Sequence, residues 1–199
     1  MEAAEALDAL RAAGVAGHTG DPATARRLTG HADPEVRAAA LGALARLGDV
    51  GLAAQVTEAL LDAAPSVRRR AAEVAAAADA VPLAALAARL ADEDDLVAEA
   101  ACWALGERQD PEGVDALVRA AGTSGDPLVR EAAVAALGAI GDPRGLPAVL
   151  AATSDKPAVR RRAVLALAPF EGPDVESALQ RALGDRDWQV RQAAEDLLS

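Results

Sequence analysis

The sequence predicts an all-α chain folded as a solenoid: a stack of helix pairs rather than a globule around one core. Three observations carry this. First, one frame recurs six times. Asp126–Asp142 reads DPLVREAAVAALGAIGD and Asp33–Asp49 reads DPEVRAAALGALARLGD, with weaker copies APSVRRRAAEVAAAAD, DDLVAEAACWALGE, KPAVRRRAVLALAP and DWQVRQAAEDLLS. Second, its valines, Val36, Val67, Val97, Val129, Val159 and Val190, stand 31, 30, 32, 30 and 31 residues apart. A fixed period in that range marks supersecondary units that bury their apolar faces on their neighbours. Third, 52% of the residues are apolar but only 2% aromatic, so the helices are built to pack closely through small side chains.

Each element follows from local signals. Glu2–Ala13 reads as a helix with Leu7 and Leu10 inward. Its ALDALRAAG resembles the end of a recurring helix, ALGALARLG, without a preceding partner, and is expected to act as a half-repeat cap. Gly14–Gly20, GVAGHTG, reads as a loop, and a short helix runs from about Pro22 to Thr29. Each unit then holds a helix A, a turn and a helix B. The A helices carry apolar residues at helical spacing: Leu52, Val56, Leu60; Leu83, Leu86, Leu90; Val114, Leu117, Val118; Leu146, Val149, Leu150; and Val175, Leu179, Leu183. Pro82 and Pro173 sit where a helix begins, because the first turn has no N–H to lose. Asp33-Pro34 and Asp126-Pro127 cap and open B helices, and Gly48-Asp49 and Gly141-Asp142 close them.

Counting from each valine (position 0) defines the B helices. Position +4 is alanine in every copy: Ala40, Ala71, Ala101, Ala133, Ala163 and Ala194. Position +8 is leucine at Leu44, Leu105, Leu137, Leu167 and Leu198, and alanine at Ala75. Positions 0, +4 and +8 share one helix face and are assigned to the core. Position +1 is arginine at Arg37, Arg68, Arg130, Arg160 and Arg191, and alanine at Ala98. In the last unit Glu195 and Asp196 replace apolar residues, and a polar outer face there is expected to end the array. The expected organisation is a single repeat domain over 1–199, with a cap at 1–19 and repeats at about 20–48, 49–79, 80–110, 111–141, 142–171 and 172–199.

Charge and chemistry narrow the function. A net charge of −11 disfavours nucleic acid, whose non-specific affinity comes from neutralising phosphates, and disfavours anionic membranes. No apolar run reaches the ~20 residues needed to span a bilayer. The start, MEAAEALDALRAAG, lacks the basic and apolar regions of a secretion signal. A cytoplasmic protein is expected. Cys102 is the single cysteine, so no intrachain disulfide forms, and at position +5 it reads as a small core residue rather than a nucleophile. The two histidines, His18 and His31, are placed in N-terminal loops, and no glycine-rich stretch has phosphate-loop spacing. No catalytic residue, metal site or cofactor is assigned, and the chain is expected not to be an enzyme.

Valine-arginine, paired alanines, Ala-Leu-Gly and Gly-Asp at a period near 31 resemble HEAT-like repeats, of the short variety found in phycobilisome lyases. The resemblance covers roughly Asp21–Ser199. It implies a right-handed α-solenoid of about six helix-pair repeats, with A helices convex and B helices lining a concave groove. It also implies a structural ladder in which Arg37, Arg68, Arg130, Arg160 and Arg191 bond acidic or carbonyl groups of their own and adjacent repeats.

In such a fold positions −1, +2, +6 and about +10 face the groove. They bring Trp103 to the middle unit with Leu96, Leu128 and Leu165 near it, ringed by Arg69, Glu73, Glu99, Glu107, Glu131 and Arg161. An aromatic anchor inside a polar rim is how interfaces concentrate energy. The expected binding residues are therefore Trp103, Leu96, Leu128, Leu165, Arg69, Arg161, Glu99, Glu131 and Trp188. Alternatives stand beside them. Trp103 would fill a gap among alanines, Trp188 would cover the end of the core, and the arginines of the runs at 68–70 and 160–162 would pair with Glu73, Glu99 and Glu131. The expected function is a non-catalytic scaffold, a monomer, that binds another protein or peptide. Two other readings are a subunit of a lyase-type or other enzyme holding a small molecule in the groove, and a DNA-repair protein, which the mixed charge disfavours.

Overall fold

The computed structural model describes residues 2–199, with side chains from residue 4 onward; Met1, the first residue of the expected cap, lies outside them. Every regular element among these residues is helical. Helix α1 (Glu2–Thr19) leads. Six A helices follow, α2 (Pro22–Leu28), α4 (Leu52–Ala59), α6 (Leu83–Ala87), α8 (Val114–Thr123), α10 (Leu146–Ala152) and α12 (Pro173–Ala182). They alternate with B helices α3 (Pro34–Leu47), α5 (Pro65–Ala75), α7 (Asp95–Arg108), α9 (Pro127–Ile140), α11 (Pro157–Ala166) and α13 (Trp188–Leu198). A 3-10 turn at Ala88–Ala91 extends α6, and others at Pro111–Gly113 and Pro143–Gly145 lead into α8 and α10.

The ends of the B helices are set chemically. Asp33, Asp94, Asp126 and Asp187 are N-caps whose carboxylates accept from backbone N–H groups of the first turn. Pro34, Pro65, Pro127 and Pro157 follow the caps. Gly48 (φ 60°) and Gly141 (φ 68°) take the left-handed conformation that closes α3 and α9, where a Cβ would be strained. Gln109 (φ 50°) does the same for α7. One regularity precedes the caps. The residue two positions earlier accepts the cap's own N–H: His31 Nδ1 from Asp33 at 3.0 Å, Asp62 from Ala64 at 2.8 Å, Asp92 from Asp94 at 3.1 Å, Ser124 Oγ from Asp126 at 3.3 Å and Asp185 from Asp187 at 2.8 Å. These turns fix the handover from A helix to B helix in five of the six units; before α11 the Lys156 N–H donates instead to the adjacent Asp155 at 2.6 Å.

Successive B helices pack directly on one another, and α1 extends that layer against α3, whereas the A helices touch each other less. Small residues at the crossings explain the difference. A Cβ built on Gly106 would lie 2.9 Å from Ala136 Cα, and one on Gly138 would lie 2.7 Å from Ala166 Cα. Backbones therefore meet on the B side, while leucines and valines hold the A helices apart. A stack that is tight on one side and wide on the other curves, with the B helices inside. Positions 0, +4 and +8 are buried in the first five units; in the sixth, Val190 and Ala194 are buried but Leu198 is exposed.

The N-terminal reading needs correction. GVAGHTG is not a loop: α1 runs on to Thr19, and His18 lies in its last turn. Leu7 and Leu10 do not point inward; both are exposed, and Ala13 and Ala16 are buried in their place. The reason is the close crossing of α1 on α3, where a Cβ on Gly17 would sit 3.1 Å from Ala43 Cα. At that separation only the small-residue face of α1 fits.

Candidate binding groove

The inner face is framed by arginine–aspartate pairs at the A–B turns. Arg37 donates from Nε and Nη2 to the two carboxylate oxygens of Asp62 at 2.8 and 2.7 Å, and from Nη1 to the carbonyls of His31 and Ala32. Arg68 makes the same fork on Asp92 at 2.9 and 2.7 Å and reaches the carbonyls of Asp62 and Ala63. Arg130 grips Asp155 at 2.7 and 2.8 Å, and Arg160 grips Asp185 at 2.9 and 2.7 Å. Each fork ties the turn of one unit to the turn of the next. Arg191 holds only the carbonyl of Asp185, at 2.7 Å. The chain of forks has one gap: Ala98 replaces the arginine, and Ser124 stands where its aspartate would be. The arginine and the acid are missing together, so neither is left buried and unpaired.

The aspartates titrate accordingly. Bonding from Arg37, Arg130 and Arg160 holds Asp62, Asp155 and Asp185 below the usual carboxylate value of 3.8, against the opposing effect of burial. At Asp92 burial is the largest influence and pushes upward, but the Arg68 fork and the Asp94 N–H together bring it below 3.8.

Between α7 and α9 lies a cleft of about 520 Å³, with Arg162 of α11 at its edge. Glu99, Trp103 and Glu107 line it from α7. Leu128, Glu131 and a floor of Ala132, Ala135, Ala136 and Ala139 line it from α9. Trp103 is 49% exposed, so it is not core filling. Residues four apart on a helix lie on one face, so Glu99, Trp103 and Glu107 form a single stripe. Neither Glu99 nor Glu107 has a basic partner among the described residues, whereas Glu131 meets Arg162 Nε at 3.5 Å.

The other expected contacts lie outside this cleft. Leu96 and Leu165 are exposed near the start of α7 and on α11. Arg69 is bound to Glu73 at 3.0 Å, and Arg70 to the same carboxylate at 2.7 Å. Arg161 is half-buried on α11. Trp188 opens α13 and is 64% exposed, so it does not cover the core. Glu107, expected in the ring of charge around Trp103, and Arg162, the third arginine of the run at 160–162, also line the cleft. Of the alanine floor, Ala135 and Ala139 stand at the groove positions +6 and +10, whereas Ala132 and Ala136 carry no sequence signal that separates them from core alanine.

Nothing in the groove is set up as a nucleophile. Cys102 is fully buried on the core side of α7, and burial, with a smaller push from Glu99, raises its thiol to about 12. Among the described residues no group of three or more His, Cys, Asp or Glu side chains is placed to hold a metal ion, and no helix is long and apolar enough to cross a membrane.

The sequence model for HEAT repeats matches residues 83–157 and 149–199. No curated protein matches the sequence. Solved structures do match in fold. An engineered protein shares 22% identity over 89% of this chain and 95% of its own, with a TM-score of 0.69. In the complex of CpcE and CpcF of phycocyanin lyase from Nostoc sp., the matching chain shares 23% identity over 89% of this chain and 75% of its own, with a TM-score of 0.67. A designed armadillo repeat protein in complex with the peptide (KR)4 shares 19% identity over 89% and 97%, with a TM-score of 0.69.

Proposed function

Because the chain belongs to the HEAT-repeat family, we propose that it is a binding scaffold whose inner face holds a segment of another protein or a peptide. The observation that carries this is Trp103, half-exposed in a cleft of about 520 Å³ on the inner helices. Leu96, Leu128 and Leu165 are exposed on the same three helices, α7, α9 and α11. An aromatic and leucine surface of this kind, rimmed by charge, gains most by being covered. Two structural neighbours support the reading as analogies of fold: one is part of a two-protein complex, the other is bound to a peptide.

In this reading the chain is one repeat domain, a cap followed by six units, and works as a cytoplasmic monomer without a catalytic step. Nucleic acid is disfavoured because the cleft carries three glutamates against one arginine. The competing reading, a lyase-type subunit with a small molecule in the groove, rests on likeness of fold alone, and fold does not carry chemistry.

Site-specific photo-crosslinking tests the proposal. A photoreactive amino acid placed at Ala135, on the cleft floor, is expected to trap a protein from lysate of the source cells. The same residue placed at Ala84, exposed on α6 of the outer layer, is expected to trap none. Trapping from position 84 but not from 135 would move the binding face to the outer layer.

A further inference from the structure

We infer that the occupant of the Trp103 cleft is cationic: an arginine or lysine side chain of an extended segment, laid on the indole between Glu99 and Glu107. This rests on the groove reading above and names the chemistry that the groove takes. Several charges on the inner helices are satisfied internally. Glu73 is shared by Arg69 and Arg70, Glu131 meets Arg162, and the aspartates at the turns are held by the forks. Glu99 and Glu107 are different. They sit one turn either side of a half-exposed tryptophan, line the same cleft and have no basic partner among the described residues.

The face of an indole is itself electron-rich, so a cation stacked on it is attracted by the ring as well as by the flanking carboxylates. Two unpaired carboxylates beside a negative ring face repel an anion of any class. Arginine fits best. Its planar guanidinium stacks on an aromatic face and offers donors to carboxylates on both sides. Its methylene stem would cover Leu128 and the alanine floor. The alanines leave room for a backbone to lie along α9.

Fluorescence reads this directly. Trp103 and Trp188 are the two tryptophans, so a Trp188→Phe background reports on the cleft alone. Acetylated and amidated peptides of three Gly-Arg, three Gly-Glu or three Gly-Ser repeats are titrated in moderate salt. The arginine peptide is expected to change Trp103 emission saturably, and the other two are not. Glu99→Gln with Glu107→Gln should weaken the arginine peptide by about tenfold or more. Glu112→Gln with Glu176→Gln removes the same charge from exposed positions outside the cleft and should weaken it by less than about twofold. Equal weakening in both pairs would mean attraction to bulk charge and overturn the inference. A saturable response to the glutamate or serine peptide, with none to arginine, overturns the cationic occupant and leaves the groove reading in place. No response to any peptide overturns the inference too; if a cellular partner also stays bound to Trp103→Ala, the groove reading falls with it.

Discussion

At the scale of single residues, the arginine forks carry the sharpest energetic prediction. Arg68 and Asp92 have side chains only 7% and 2% exposed. Removing one partner of such a pair strands a buried charge and costs about 3–5 kcal/mol. Arg68→Ala should therefore lower the denaturant midpoint strongly. Arg68→Lys keeps the charge but loses the fork, and should fall between. Arg191 makes a single bond to a carbonyl, and Arg191→Ala should cost no more than about 1 kcal/mol. Equal losses at Arg68 and Arg191 would remove the forks from the account of stability. The repeating +1 arginine was visible in the sequence because its position is fixed by the valine. Its acid was not, because Asp62, Asp92, Asp155 and Asp185 lie about 25 residues downstream in turns where aspartate is common anyway.

At the scale of elements, the B-helix crossings set the curvature that makes a groove. Gly138→Ala places a methyl 2.7 Å from the Ala166 backbone, so α9 and α11 must separate. It should destabilise by about 1–3 kcal/mol, although alanine is the better helix former. Gly14→Ala, in the middle of α1 with nothing within 4 Å of the added methyl, should stabilise by about 0.5–1 kcal/mol. Opposite shifts of the thermal midpoint in the two variants would confirm that contact, not helix propensity, governs the crossings. The same crossings explain what was legible. The valine-alanine-leucine faces of the B helices could be read because apolar residues recur at helical spacing over several turns. The inward face of α1 was misread because leucine is ordinarily the buried residue, and only the neighbouring helix reveals that the approach is too close for it. Trp103 stood out as a rare aromatic on the groove stripe. Leu96, Leu165, Arg69 and Arg161 share that stripe by position, but helical position alone does not say which neighbours line one cleft.

At the scale of the whole molecule, stability is summed along a line of units, each coupled to the next by packing and, everywhere but at Ala98, by a fork. The forks make that coupling sensitive to acid. Asp62, Asp92, Asp155 and Asp185 all titrate below 3.8 in the folded chain. A carboxyl depressed on folding contributes stability that is fully present above its unfolded value and is lost as pH falls through its folded one. The denaturant midpoint should therefore be flat from about pH 8 to 6 with respect to these groups, and fall steeply below about pH 5. A midpoint that rose on acidification would contradict the forks as the coupling element. The central claim is that binding takes place on the inner face around Trp103. Its most direct test is capture from lysate of the source cells by wild type, Trp103→Ala and Arg161→Glu, with the fold of all three checked by circular dichroism. The account predicts a partner held by the wild type, lost by the folded Trp103→Ala protein, and still held by Arg161→Glu, whose position lies outside the cleft. A partner held equally by all three would contradict it and move the binding face off the groove.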